Sequence, residues 1–231
     1  MFYSAAVDIA SGFIKDDASP EQVAAERALY EPLAEAVRQL VDASIRTTVD
    51  ADEVRAVTED LERLAARLQR SQLPGAYGVR YGSDGTGRPW GNTVVGVRNP
   101  AAPPLRTVKD AETLGNVSAD FHLGAAYEGP PSHVHGGVLA LVLDQMLGEA
   151  AGAGGRPGMT ATYTVTYRRP TPLGALSARA WISRTEGHKT WAAGEISGPD
   201  GVTVEAEGLF VLPRWAREAG GTDSPDAPHY F

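Results

Sequence analysis

The sequence predicts an α+β fold, and three observations carry that prediction. Val117 to Leu123 alternates apolar and polar residues, the period of a half-buried strand. A long apolar run of helical character starts at Gly136, and four strand-like segments joined mostly by tight turns follow it. A strand, one long helix and a series of hairpin-linked strands is the order of an antiparallel sheet packed on a single helix.

The composition narrows the class. The chain has 231 residues, 42% of them hydrophobic, enough for a substantial core in one large domain or a domain with an extension. A formal net charge of -8 argues against a nucleic-acid surface. The absence of cysteine excludes a disulfide framework, a thiolate metal site and a cysteine nucleophile. Met1 to Ile14 lacks the basic start and unbroken apolar core of a signal peptide. The apolar run Val138 to Leu143 is too short to span a bilayer. The expectation is a soluble cytoplasmic protein with no membrane partner.

Residues 1–17 show no clear pattern. Ser19-Pro20-Glu21-Gln22 reads as a helix start, with Ser as N-cap, Pro in the first position and Gln closing a capping box. Leu29, Leu33, Val37, Leu40, Val41 and Ile45 then recur at helical spacing. Asp50 with Glu53 forms a second cap, after which Val54, Val57, Leu61, Leu64 and Leu68 advance by alternating threes and fours. That is the narrow seam of a helix packing on one partner, either the main domain or a second copy. Residues 19–72 are expected to form a helical hairpin. From Leu73 to Leu105 the chain turns rich in Gly, Pro and Asn, a long connection of the kind that often covers a ligand site.

The strand at 117–123 leads through Glu128-Gly129-Pro130-Pro131 to His135-Gly136-Gly137 and the helix, which ends in the glycines of 152–158. In the next segment Thr160, Thr162, Thr164 and Thr166 alternate with Met159, Ala161, Tyr163, Val165 and Tyr167, so the two sets are expected on opposite faces. Strands follow at Ala175–Glu186, His188–Ser197 and Val202–Leu212, with turns at Glu186-Gly187 and Gly198-Pro199-Asp200-Gly201. The expected organisation is a helical extension over 1–72, a connecting loop over 73–105, the sheet-and-helix domain over 106–213 and a mobile tail over 214–231.

The central helix reads either as plain core, with its one acid met by a neighbouring donor, or as the carrier of the chemistry, and the cost of an unpaired carboxylate among apolar residues favours a purpose. Its glycine start leaves backbone N–H groups uncovered at the positive end of the helix dipole, where developing negative charge is stabilised. Asp144 lies in line with Gly136, Ala140, Gly148 and Gly152, a stripe that lets a substrate chain or another backbone come close. Other motifs fail. The Gly152–Gly158 stretch resembles a dinucleotide loop but follows a helix and precedes a strand, the reverse of the phosphate motif. His133 and His135 lack a further ligand cluster at metal spacing, so no metal is expected. No Gly-x-Ser-x-Gly elbow is present.

These residues together resemble the hotdog-fold acyl-CoA thioesterases of the phenylacetic-acid-degradation type and the thioesterase-superfamily-member group. The resemblance runs over roughly Asn116–Leu212. It rests on Glu128-Gly129-Pro130-Pro131, on His135-Gly136-Gly137 with Asp144 nine residues on, and on Met159-Thr160-Ala161. Tyr167 to Leu173, Glu186 to Lys189 and Glu205 to Val211 extend it. It implies a helix wrapped by an antiparallel sheet in a homo-oligomer, dimer or tetramer, with each site shared between two copies. It further implies hydrolysis of an acyl-CoA or acyl carrier protein thioester, coenzyme A being part of the substrate and no other cofactor being needed. Gly136 N–H, joined by Gly137, would hold the thioester oxygen, and Asp144 would act as general base or nucleophile. Thr160 would orient the acid or the water, and His135 would shape the corner. Arg168, Arg169 and Lys189 stand near strand ends, where they could bind the carrier's phosphates. In some relatives an Asn or Gln stands six residues before the histidine; Gly129 occupies that position. The alternative reading is a hotdog protein that binds acyl-CoA or a pathway partner without catalysis. Hydration of an enoyl-CoA is disfavoured, since no histidine follows Asp144 on the helix.

Overall fold

The computed structural model describes residues 13–82, 86–103 and 105–212. The expected tail over 214–231 lies outside them. The centre is the hotdog arrangement: a helix laid along a strongly paired antiparallel sheet.

Two helices come first, α1 (Pro20–Arg46) and α2 (Ala51–Gln69). The first is capped as expected: Gln22 N donates to Ser19 Oγ, and Ser19 N donates back to the Gln22 side chain. Asp50 caps the second by accepting from Asp52 and Glu53. The two helices follow one another as expected but pack little on each other, and α2 buries no residue. Instead α1 lies on the 90–106 segment and on a 3-10 turn at Ala125–Tyr127. Arg98 bridges this contact, with a 3.0 Å ion pair to Glu26 and its guanidinium 3.5 Å from the Tyr30 ring centroid. Arg106 pairs with Glu31 at 2.6 Å, and Arg38 donates to Asn99 O. Pro32 sits inside α1 and removes one backbone donor there. Beside it a groove of about 680 Å³ opens between α1 and residues 95–106, lined by Ala28, Pro32, Val95 and Leu105 among others.

Three short strands, β1 (Phe13–Lys15), β2 (Val79–Tyr81) and β3 (Gly87–Arg88), form a small separate sheet with β1 parallel to β2. Strands of two or three residues show no periodicity, which is why the 73–105 segment reads as loop. Arg88 is buried in this sheet and ion-paired with Asp16.

The main sheet contains β4 (Val108–Lys109), β5 (Val117–Leu123), β6 (Met159–Tyr167), β7 (Gly174–Glu186), β8 (Lys189–Gly198) and β9 (Gly201–Val211), in the order β4-β5-β7-β8-β9-β6. The helix α3 (Gly136–Ala153) connects β5 to β6. Strand β5 buries every second residue, as its alternation requires. Gly187 and Gly201 adopt positive φ in the two hairpin turns, which a side chain would strain. Helix α3 buries Leu139, Val142, Leu143, Met146, Leu147, Ala150 and Ala151 against the sheet. The facing sheet residues are small, among them Ala178, Ala180, Ala192 and Ala206. At Gly194 a Cβ would come within 2.7 Å of the Leu147 side chain, so the glycine is what admits the helix. Interior glycines cost α3 about 1 kcal/mol each, whereas each fully buried Leu or Val contributes about 1.5–3 kcal/mol. Packing therefore decides that this segment is helical.

Candidate active site

The corner that starts α3 is fixed from three sides. His135 N donates to Tyr127 O, Val134 N to Thr171 O and Leu173 N to Ser132 O. Ser132 itself takes a left-handed φ of 64°, and its N–H donates to the Glu128 carboxylate at 2.6 Å. Gly129 packs so tightly here that a Cβ would stand 2.7 Å from His135 Cα. No asparagine or glutamine fits at that position.

His135 is the N-cap of α3, and its Nδ1 accepts from Gly137 N–H at 3.0 Å. Gly137 N–H is therefore already committed. Among the described residues no acceptor takes Gly136 N–H. The open donor at the positive helix end is therefore Gly136 alone.

One turn after another, the small stripe of α3 meets a side chain from β6. Tyr167 Oη donates to Gly136 O at 2.8 Å, and its ring would lie 3.3 Å from a Cβ at Gly136. Tyr163 Oη donates to Ala140 O, also at 2.8 Å. Burial pushes the Tyr163 hydroxyl pKa upward, and the neighbouring Asp144 and Tyr167 push the same way, so it remains a donor. Thr160 Oγ1 donates to Asp144 Oδ1 at 2.9 Å. The close approach that the stripe permits is thus to β6 of the same chain.

Thr160 shares this face with Tyr163 and Tyr167, contrary to the expected alternation. A bulge between Thr160 and Thr162 inserts one residue and flips the faces. Asp144 is only half-buried, and with Thr160 exposed beside it the carboxylate is open to water. A carboxylate held by one hydroxyl can accept a proton from water on its free side. Next to it Gln145 receives a 3.3 Å hydrogen bond from Asn92 Nδ2, so the 73–105 segment does reach the helix beside the acid. Nothing in local sequence signals that contact across 53 positions.

The expected cations are divided. Arg168 forms a two-point pair with Glu205, at 2.8 and 2.6 Å, and Arg169 Nε donates to Val202 O. Both follow the Tyr167 end of β6. Lys189 aligns through Val211 with Met159, at the other end of that strand, and forms no ion pair among the described residues. No cluster of metal-binding side chains occurs among the described residues.

Residues 132–205 match the model of the thioesterase superfamily. A solved thioesterase superfamily protein is 37% identical, the alignment covering 79% of this chain and 90% of that one, with a TM-score of 0.71. The chain belongs to the thioesterase superfamily. The curated acyl-coenzyme A thioesterase THEM4 of Xenopus laevis is 34% identical over 94 residues, covering 39% of this chain and 42% of that protein. Its Mus musculus counterpart is 33% identical over 94 residues, covering 40% of its own length. The chain thus spans well under half of the curated relatives it matches. The resemblance read from the sequence holds for the family and for the hotdog fold. Among the described residues no helix is long and apolar enough to cross a membrane.

Proposed function

We propose that this protein hydrolyses an acyl-CoA or acyl carrier protein thioester, with each site built from two copies of the chain. One observation carries the reading. Within one chain the Gly136 N–H and the Asp144 carboxylate belong to the same helix eight residues apart, about 12 Å along its axis. A single thioester carbonyl cannot touch both. Strand β6 meanwhile is a nine-residue edge strand of the sheet, largely exposed. Such an edge invites a second strand. Two-fold antiparallel pairing of β6 edges brings the Gly136 end of one copy beside the Asp144 end of the other.

In that site Gly136 N–H holds the thioester oxygen. Water attacks the carbonyl carbon as Asp144 takes its proton, and negative charge gathers on the held oxygen. Collapse breaks the C–S bond, the thiolate leaves and takes up a proton, and the acid is released. Direct attack by Asp144, giving an anhydride that water then opens, uses the same geometry. Thr160 orients the carboxylate in either course. The substrate brings coenzyme A with it, and a cytoplasmic setting accompanies this reading.

A panel of acyl-CoA and acyl carrier protein thioesters, followed by free-thiol release, tests the activity. Turnover of at least one of them above the buffer rate is expected. Saturable binding with no thiol released from any member would replace hydrolysis with a binding role.

The same pairing gathers Lys189 of one copy with Arg168 and Arg169 of the other. Guanidinium and ammonium groups bind phosphate oxygens, while the exposed Arg168–Glu205 pair is weak enough to open. Neutralising all three cations is expected to raise KM for acyl-CoA with kcat nearly unchanged. The effect should fade with an acyl-cysteamine, which lacks the nucleotide. An unchanged KM for acyl-CoA would remove these residues from the carrier site.

A further inference from the structure

Helix α2 has no buried residue. Its apolar seam faces solvent, with Val54 46%, Val57 37%, Leu64 49% and Leu68 57% exposed and Leu61 half-buried. The spacing of these five residues puts them in the two core positions of a heptad. We infer that α2 is an assembly helix whose seam packs antiparallel against α2 of a second copy.

The order of the pair follows from charge. Glu53, Asp60 and Arg67 flank the seam on one side, and Thr58 and Ala65 flank it on the other. In an antiparallel pair each flank faces its own equivalent, and with Val57 layered on the partner's Leu68, Asp60 meets the partner's Arg67 twice by symmetry. A parallel pair would set Asp60 against Ala65 and Glu53 against Thr58, with no charge pair formed. Within its own helix Asp60 is held by Arg63, an exposed contact that can be shared or exchanged. Arg67 forms no ion pair among the described residues. The helix dipoles also oppose favourably in the antiparallel order.

The seam spans little more than two heptads, shorter than the three or four of a free-standing coiled coil. Its strength therefore draws on the homodimer proposed above, where copies are already concentrated near one another. Its existence is tested without reference to activity.

The natural chain has no cysteine, so introduced thiols report alone. Val57→Cys and Leu68→Cys are made singly, each alone and both co-expressed, in the 231-residue chain under mild oxidation. Molar mass by light scattering is read alongside non-reducing gels. Antiparallel α2 pairing predicts a covalent dimer only in the co-expressed sample, because Val57 faces the partner's Leu68 and never its own equivalent. Cross-linking of either single variant with itself would mean parallel order and overturn the proposal. A dimer by mass with no cross-link in the co-expressed sample would overturn it too, leaving the β6 edge as the interface. A monomer by mass would overturn both this contact and the shared site.

Discussion

Asp144→Asn is expected to keep the fold and lower thioester hydrolysis by on the order of 10²–10⁴-fold, the contribution of a positioned proton acceptor. The fold survives because the change is nearly isosteric and the carboxylate is only half-buried. The amide oxygen can still accept from Thr160 Oγ1, which now donates to Asp144 at 2.9 Å. What disappears is basicity, and with it the ability to take a proton from water or to attack the carbonyl. Thr160→Ala removes only the orienting bond and is expected to cost distinctly less. Both variants are read as kcat/KM on the best thioester of the panel, with the molar mass in solution compared with the parent's. Turnover of the Asn variant within a few-fold of the parent would take Asp144 out of the chemistry. A larger loss from Thr160→Ala than from Asp144→Asn would reverse the two roles.

The path from sequence to this site was uneven, for reasons that particular residues make plain. Alternation in β5, hairpin turns at Gly187 and Gly201 and an apolar run on α3 are local patterns, and the structure keeps them. The stripe Gly136–Ala140–Asp144 was legible as a close-approach surface from helical spacing alone. Its occupants were not, because Tyr163 and Tyr167 reach α3 from 23 and 31 residues away. The bulge after Thr160 was equally invisible. A segment in which threonine alternates with Met, Ala, Tyr and Val looks regular in either register, and a one-residue insertion reassigns every face. The caps of α1 and α2 were readable, but a seam states only that a partner exists. The hairpin inferred from it leaves the α2 seam exposed in the structure.

The sharing of the site is expected to show itself in subunit mixing. An Asp144→Asn chain lacks the base, and a Gly136→Val chain lacks a usable oxygen donor. A Cβ at Gly136 already stands 3.3 Å from the Tyr167 ring, so the larger side chain must crowd the N–H or displace that ring. Each homodimer is inactive in both sites. A mixed dimer has one site carrying both defects and one carrying neither, provided Gly136 of one copy works with Asp144 of the other. Random pairing makes about half of the dimers mixed, with one intact site in each, so about a quarter of the parent activity should return. If both groups acted within one chain, every site in the mixture would retain a defect and nothing would return. The roughly 12 Å between the two groups along α3 argues for recovery. Zero recovery in dimers whose exchange is demonstrated by differently tagged subunits would place the site within a single chain, and the β6 edge would lose its catalytic purpose.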